Sequence, residues 1–278
     1  MVLSTPPHET SPHKAPAAKI SPHISEPTVT WDALPQDFVL PDDPVENIQQ
    51  PPLAAALTDA LGSNGHIQSD MLIGSNFGLV ATINQKTVVK APDWFFVKHV
   101  GSIPEEVIRR SYTPHLEGDP VGIVMEFLSA DDNGELSLRA TFPYGKLYFY
   151  EQILKIPSYV TYDPYGPSLQ VRQLIQNRYS VVQPNAQGRF LIPELQLELG
   201  LWYGERLGKT THWLRWWDQS GNLLLWGSEQ AELEKQRAES EKQRAEAEKQ
   251  RAEAEKQRAE KLAAKLRELG VDPDGLAE

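Results

Sequence analysis

Residues 234–261 repeat with a strict period of seven, as "EKQRAES", "EKQRAEA", "EKQRAEA" and "EKQRAEK". A run of this kind is helical. Glu239 and Lys242, Glu241 and Arg244, Glu246 and Lys249, and Glu248 and Arg251 are opposite charges three apart. Each such pair contributes about 0.2–0.5 kcal/mol to a solvated helix. Ala238, Ala245, Ala252 and Ala259 lead into Leu262, Leu266 and Leu269 along one seam, but glutamate fills the column where a coiled coil needs its second apolar row. Two outcomes therefore stay open, a marginal coiled coil that joins copies through the three leucines and a single charged helix. Gly270 and Pro273 end the helix. A segment this polar has little to bury, so the tail from residue 228 to 278 is expected to be dispensable for a core that lies upstream.

That core has enough material. The chain has 278 residues, 40% of them hydrophobic, with seven Trp and no Cys. Absence of cysteine excludes a disulfide scaffold, thiolate zinc sites and cysteine nucleophiles. The net charge of −11 excludes non-specific coating of a polyanion by counterion release, so contact with nucleic acid would need a local basic patch or a divalent metal. Residues 1–44 are rich in Pro, Ser, Thr and His and are expected to form a disordered leader in which His8, His13 and His23 are solvated. No signal-peptide h-region and no window of 18 uncharged apolar residues is present, which points to a soluble, cytoplasmic protein without membrane contact.

Residues 45–227 carry the signals of one mixed α/β unit. "NIQQPPLAAALTDALG" predicts a helix starting near Pro51 or Pro52 and ending at Gly62. "FGLVATINQKTVVKAPDWFFV" predicts a hairpin turning near Asn84-Gln85-Lys86, and "GIVMEFLS" a strand buried on both faces. Leu147, Tyr150, Ile153 and Leu154 mark a helical stripe in "PYGKLYFYEQILK". "SYVTYDP" and "LQVRQLI" are strands joined through residues 163–167. "HWLRWWDQSGNLLLW" reads as a further hairpin turning at residues 218–222, its tryptophans closing a core more readily than stacking on bases.

Glu126 stands in the middle of the apolar "GIVMEFLS", where a carboxylate costs several kcal/mol, on the order of 2–7, unless a cation, a metal or good donors meet it. Asp93 follows Pro92 inside the similarly apolar "KAPDWFFV", at a point where proline imposes a bend or an edge. Two strands thus carry one embedded acid each. If adjacent, they suit a hard divalent cation such as Mg²⁺, which keeps positions open for phosphate and water. Lys146, at the start of the central helix, is placed to stabilise charge developing on a phosphoryl group or to help deprotonate a water. The plain structural alternative is a turn-capping Asp93 and a Glu126 paired with a neighbouring cation.

"APDWFFV", "IVMEFLS" and "YGKLYFYEQILKIPSYVTYDP" resemble the cyanobacterial restriction-endonuclease family called Uma-two, a branch of the PD-(D/E)XK nuclease superfamily. "GRFLIPELQLELGLWYGERL" and "THWLRWWDQSGNLLLWGSEQAE" are similar to its C-terminal part, so the likeness covers about residues 45–226. The resemblance implies a mixed central β-sheet flanked by helices and a DNA endonuclease that uses Mg²⁺, with Mn²⁺ as a substitute. It implies Asp93 and Glu126 as metal-binding acids and Lys146 as the catalytic lysine. The superfamily places that lysine two residues after the acid, where this chain has Leu128. An acid before or on the first helix joins such sites, and Glu46 is the candidate here, with Asp59 competing. "SADDNGELS" departs from the turn that follows the acid in many members, which leaves a catalytically inactive scaffold or a nucleic-acid-binding protein, assembling through its tail, as the alternative.

Overall fold

A computed structural model describes residues 27–35, 38, 48–104, 106–129 and 136–270. In chain order it contains β1 (Val29–Thr30), α1 (Gln50–Ser63), β2 (Leu72–Gly74), β3 (Gly78–Ile83), β4 (Lys86–Lys90), β5 (Trp94–Val97), β6 (Ser111–Tyr112) and β7 (Val121–Phe127). A single α-helical turn, α2 (Lys146–Tyr148), runs directly into a π-helical turn (Phe149–Ile153). β8 (Ser158–Asp163), β9 (Ser168–Ile175), β10 (Arg178–Val181), β11 (Phe190–Ile192), β12 (Leu197–Arg206), β13 (Lys209–Trp217) and α3 (Gly227–Glu268) follow. The expected mixed sheet, flanking helices and long C-terminal helix are all present.

The central sheet has six strands in the order β10-β9-β8-β7-β5-β2. Only β7 and β8 are parallel. A parallel step needs a crossover, and α2 with its π turn provides it. Where the chain reverses directly, the left-handed backbone of Asn84-Gln85, Gln176-Asn177 and Leu207-Gly208 supplies the tight two-residue turns that a twisted hairpin favours.

Alternation along β7 divides the interior in two. Ile123, Met125 and Phe127 face a layer built from α1 and the three-stranded sheet β11-β12-β13, including Trp213, Trp216 and Trp226. Val124, and Val121 beyond the bulge where the β5 register shifts, face β3, β6 and the π turn, with Leu79, Tyr112, Phe149 and Tyr150. The tryptophans do close a core. The hairpin expected to link them does not form as read: β13 pairs backward with β12 through Leu207-Gly208, and beyond the turn at 218–222 only a bridge between Trp217 and Leu223 remains. β13 pairs with β12 along one edge, while on its other edge the short segment after the turn adds only the Leu224 amide donating to the Trp216 carbonyl at 2.9 Å.

Two boundaries differ from expectation. Val29 and Thr30 pair with Ile83 and Thr82 as β1, so the leader is not free up to residue 44; residues 1–26, with His8, His13 and His23, lie outside the described part. At the other end, the core does not stop at residue 227. Arg215 is fully buried, lies 3.4 Å from the centre of the Trp226 ring, and donates to both carboxylate oxygens of Glu229 at 3.1 and 2.6 Å. Glu229 also accepts from the Trp226 amide at 2.8 Å, capping α3. Asp59 on α1 accepts from Arg206 at 2.8 Å and from the Gly227 amide. Past this anchor α3 buries no residue, and Leu262 and Leu269 are 62% and 74% exposed.

Truncation after Gly227 would strand the buried Arg215 without its carboxylate, at a cost of about 3–5 kcal/mol, whereas truncation after Lys235 keeps the pair. Thermal unfolding should show a clearly lowered Tm for the first and a Tm close to full length for the second. Equal transitions would show that the pair adds nothing to the core.

Candidate functional site

β5 and β7 are antiparallel with Trp94 opposite Met125 and Phe95 opposite Val124. Continued by one step, this register sets Asp93 opposite Glu126. Side chains so paired share a face, and like charges there repel. The face is the one that carries Phe95 and Val124, under α2 and the π turn. Asp93 is held in place by its neighbours: its Oδ2 accepts the Phe127 amide at 2.5 Å, and the Ser75 hydroxyl donates to its carbonyl at 2.8 Å.

Glu126 is 1% exposed. Lys146 Nζ donates to Oε2 at 3.1 Å and the Tyr150 hydroxyl donates to Oε1 at 2.7 Å. Burial pushes the Glu126 carboxyl up to about 7; Lys146 opposes the rise, Asp93 adds to it, and the Tyr150 hydrogen bond opposes it. Burial, then the Glu126 charge, holds the Tyr150 hydroxyl well above its ordinary range, so it stays a donor. Perturbed carboxylates of this kind concentrate at functional sites.

Lys146 and Tyr150 come from one helical segment, four residues apart, so they share a face toward β7. Its entry is tight. A Cβ on Gly145 would lie 2.2 Å from the carbonyl oxygen of Ser137, so only glycine lets the loop pass there and present Lys146. Phe149 is packed in the second core, and Tyr150 is fully buried beside Tyr159 at 5.5 Å between ring centres. These contacts fix the segment, and with it the lysine.

Asp93, Glu126 and Lys146 are thus brought together as the sequence suggested. Glu46 lies outside the described residues. Asp59 is engaged elsewhere: burial would raise its carboxyl, but bonds from Arg206, the Gly227 amide and Ser63 outweigh that and lower it. Two residues were missed. Tyr150 was counted only as an apolar stripe position, although its spacing of four from Lys146 placed its hydroxyl on the same target. Gln50, in the first turn of α1, donates to the Phe127 carbonyl at 2.8 Å and so brings that helix end to the acid strand; its signal was a polar residue ahead of the helix-starting Pro51.

The donor set suits a hard cation: two carboxylates opposite each other, one of them with its charged form disfavoured by burial beyond what Lys146 offsets. Among the described residues no group of three or more His, Asp or Glu side chains is arranged as a complete cage. No helix among them is long and apolar enough to cross a membrane.

The Uma2 family model, described as "Putative restriction endonuclease", matches residues 44–208. A search of curated proteins gives no match. The matched span contains Gln50, Asp93, Glu126, Lys146 and Tyr150 and ends at the turn before β13, short of the anchor for α3. Since it takes in more than half of the chain and the whole acid-lysine cluster, the chain belongs to the Uma2 family of restriction-endonuclease-like proteins.

Proposed function

We propose that this protein is a divalent-metal-dependent endonuclease that hydrolyses phosphodiester bonds of DNA with water as nucleophile. The observation that carries the reading is the placement of Asp93 and Glu126 opposite each other across β5 and β7 with Lys146 on the Glu126 carboxylate. Asp93 and Glu126 would hold Mg²⁺, or Mn²⁺ in its place, with Glu46 as a third acid. When bound, the cation polarises the phosphodiester and lowers the pKa of a water.

The chain's own residues do the rest. Asp93 and Glu126 are held in fixed orientations by the Phe127 amide and the Tyr150 hydroxyl. Lys146, partly exposed while Glu126 is not, sits between the buried acid and solvent, where it can present positive charge to a phosphate oxygen or pass a proton. A water deprotonated there attacks phosphorus; the bond to the leaving oxygen breaks, and that oxygen takes up a proton.

The second reading is a nuclease fold without activity. It is favoured by the fact that both oxygens of Glu126 already have protein partners. The test is a nicking assay on plasmid and single-stranded DNA with Mg²⁺, Mn²⁺ or EDTA, paired with calorimetric Mn²⁺ titration. Asp93→Asn and Glu126→Gln should abolish cleavage and weaken Mn²⁺ binding. Lys146→Ala should slow cleavage by about 10²-fold or more with metal affinity largely kept. Wild type that binds no metal, together with a Glu126→Gln variant that is severely destabilised in EDTA, would establish the inactive reading.

Protonation gives an independent check. Glu126 titrates near 7 in the fold against about 4.3 in an unfolded chain, so the folded state holds the extra proton between those values. Its contribution to stability is fully present below about 4.3 and lost as the pH rises through about 7. In EDTA, wild type should lose more stability than Glu126→Gln between pH 5.5 and 8.5, as read by denaturant unfolding. Parallel pH profiles for the two would refute the burial argument.

A further inference from the structure

A second feature lies along the same helical segment. A cavity of about 510 Å³, within the usual size of small-ligand sites of about 300–1,000 Å³, opens between β1, the π turn, the β9-β10 turn and the loop around residue 115. Trp31 and Tyr148 give it aromatic faces, with the His115 ring 4.9 Å from that of Trp31. Among the described residues its lining includes Lys155 and no acidic side chain, in a chain whose net charge is −11.

The polar groups are placed for recognition. Gln152 spends its amide nitrogen on Glu151 and on the Asn177 carbonyl, at 2.7 and 2.9 Å, which leaves its Oε1 to accept. Lys155 has a φ of +52°, a conformation that glycine occupies without steric cost and that usually closes a helix end. Lysine at that position puts a cation on the cavity wall instead. His115 and Asn177 line the same space.

We propose that this cavity binds a nucleotide, its base stacked on Trp31 or Tyr148 and its phosphate on Lys155. The choice of ligand rests on the nuclease reading, and its geometry fits that reading. Tyr148 and Gln152, which line the cavity, belong to the same helical segment that carries Lys146 and Tyr150.

The probe is dAMP titrated calorimetrically into the full-length protein in EDTA, which keeps metal and cleavage out of the measurement. Wild type and Asp93→Asn are expected to bind alike. Trp31→Ala should weaken binding roughly ten- to a hundredfold, the loss of one stacked base, and Lys155→Ala should weaken it as well. Because Lys155 is exposed, its variant still decides the matter if Trp31→Ala does not fold. Displacement of dAMP by a short single-stranded oligonucleotide identifies a nucleotide of the substrate strand, and binding without displacement identifies a free nucleotide; either supports the site. No dAMP binding by folded wild type, or unchanged binding in both variants, overturns the proposal whatever the cleavage assay gives.

Discussion

Two carboxylates opposite each other on the covered face of a sheet are an arrangement that a protein core ordinarily avoids. Each loses hydration and each repels the other. In this chain the surroundings are organised to hold them: Asp93 takes the Phe127 amide of the neighbouring strand, and Glu126 takes a lysine and a tyrosine from the helical segment above. The strand order explains why those donors are available. β7 and β8 are parallel, so the chain must leave β7, cross its face and return, and the crossing segment is the one that carries Lys146 and Tyr150. The topology and the satisfaction of Glu126 are one constraint.

The other face of the sheet answers to different demands. There Ile123, Met125 and Phe127 meet α1 and the tryptophan layer, a largely apolar interface beside which Arg215 is buried. A fully buried guanidinium would be ruinous unpaired, and its partners are Glu229, the Leu224 carbonyl and the Trp226 ring. The charged helix therefore starts inside the domain. From that base α3 runs 42 residues, about 60 Å at 1.5 Å per residue, and none of them is buried within the chain. Its opposite charges three residues apart contribute about 0.2–0.5 kcal/mol each to a helix of this kind.

Much of this was legible in the sequence because the signals were local. The β3-β4 turn at Asn84-Gln85, the helix from Gln50 past the two prolines, and the strand around Glu126 each follow from residues within a few positions of one another. What was not legible depended on partners distant in sequence. The pairing of Val29 with Ile83, for example, joins residues 54 apart. Arg215 and Glu229 are only 14 apart, yet both read as surface charges until Trp202 and Trp226 enclose the guanidinium. At the site, the embedded acids were visible because charge in an apolar strand is conspicuous. Tyr150 was not, because a tyrosine satisfies an apolar pattern and a hydrogen-bonding role equally well, and only the position of its hydroxyl separates them.

The position of the lysine has a physical consequence. A lysine two residues after Glu126 would stand at Leu128 and be aimed by β7 itself; Lys146 reaches the same carboxylate at 3.1 Å from a separate segment. Its placement therefore rests on the packing of Phe149 and Tyr150 under the sheet and on the close pass of Gly145 over Ser137. Strand-borne charge is as rigid as the sheet, whereas charge carried by a short helical turn is as rigid as the contacts beneath that turn. Tyr150 serves both needs at once, its ring packing the segment down while its hydroxyl meets the acid that the lysine also meets. Removing the hydroxyl alone would leave the packing, and removing the ring would release the lysine as well, so the two functions of this one side chain are separable.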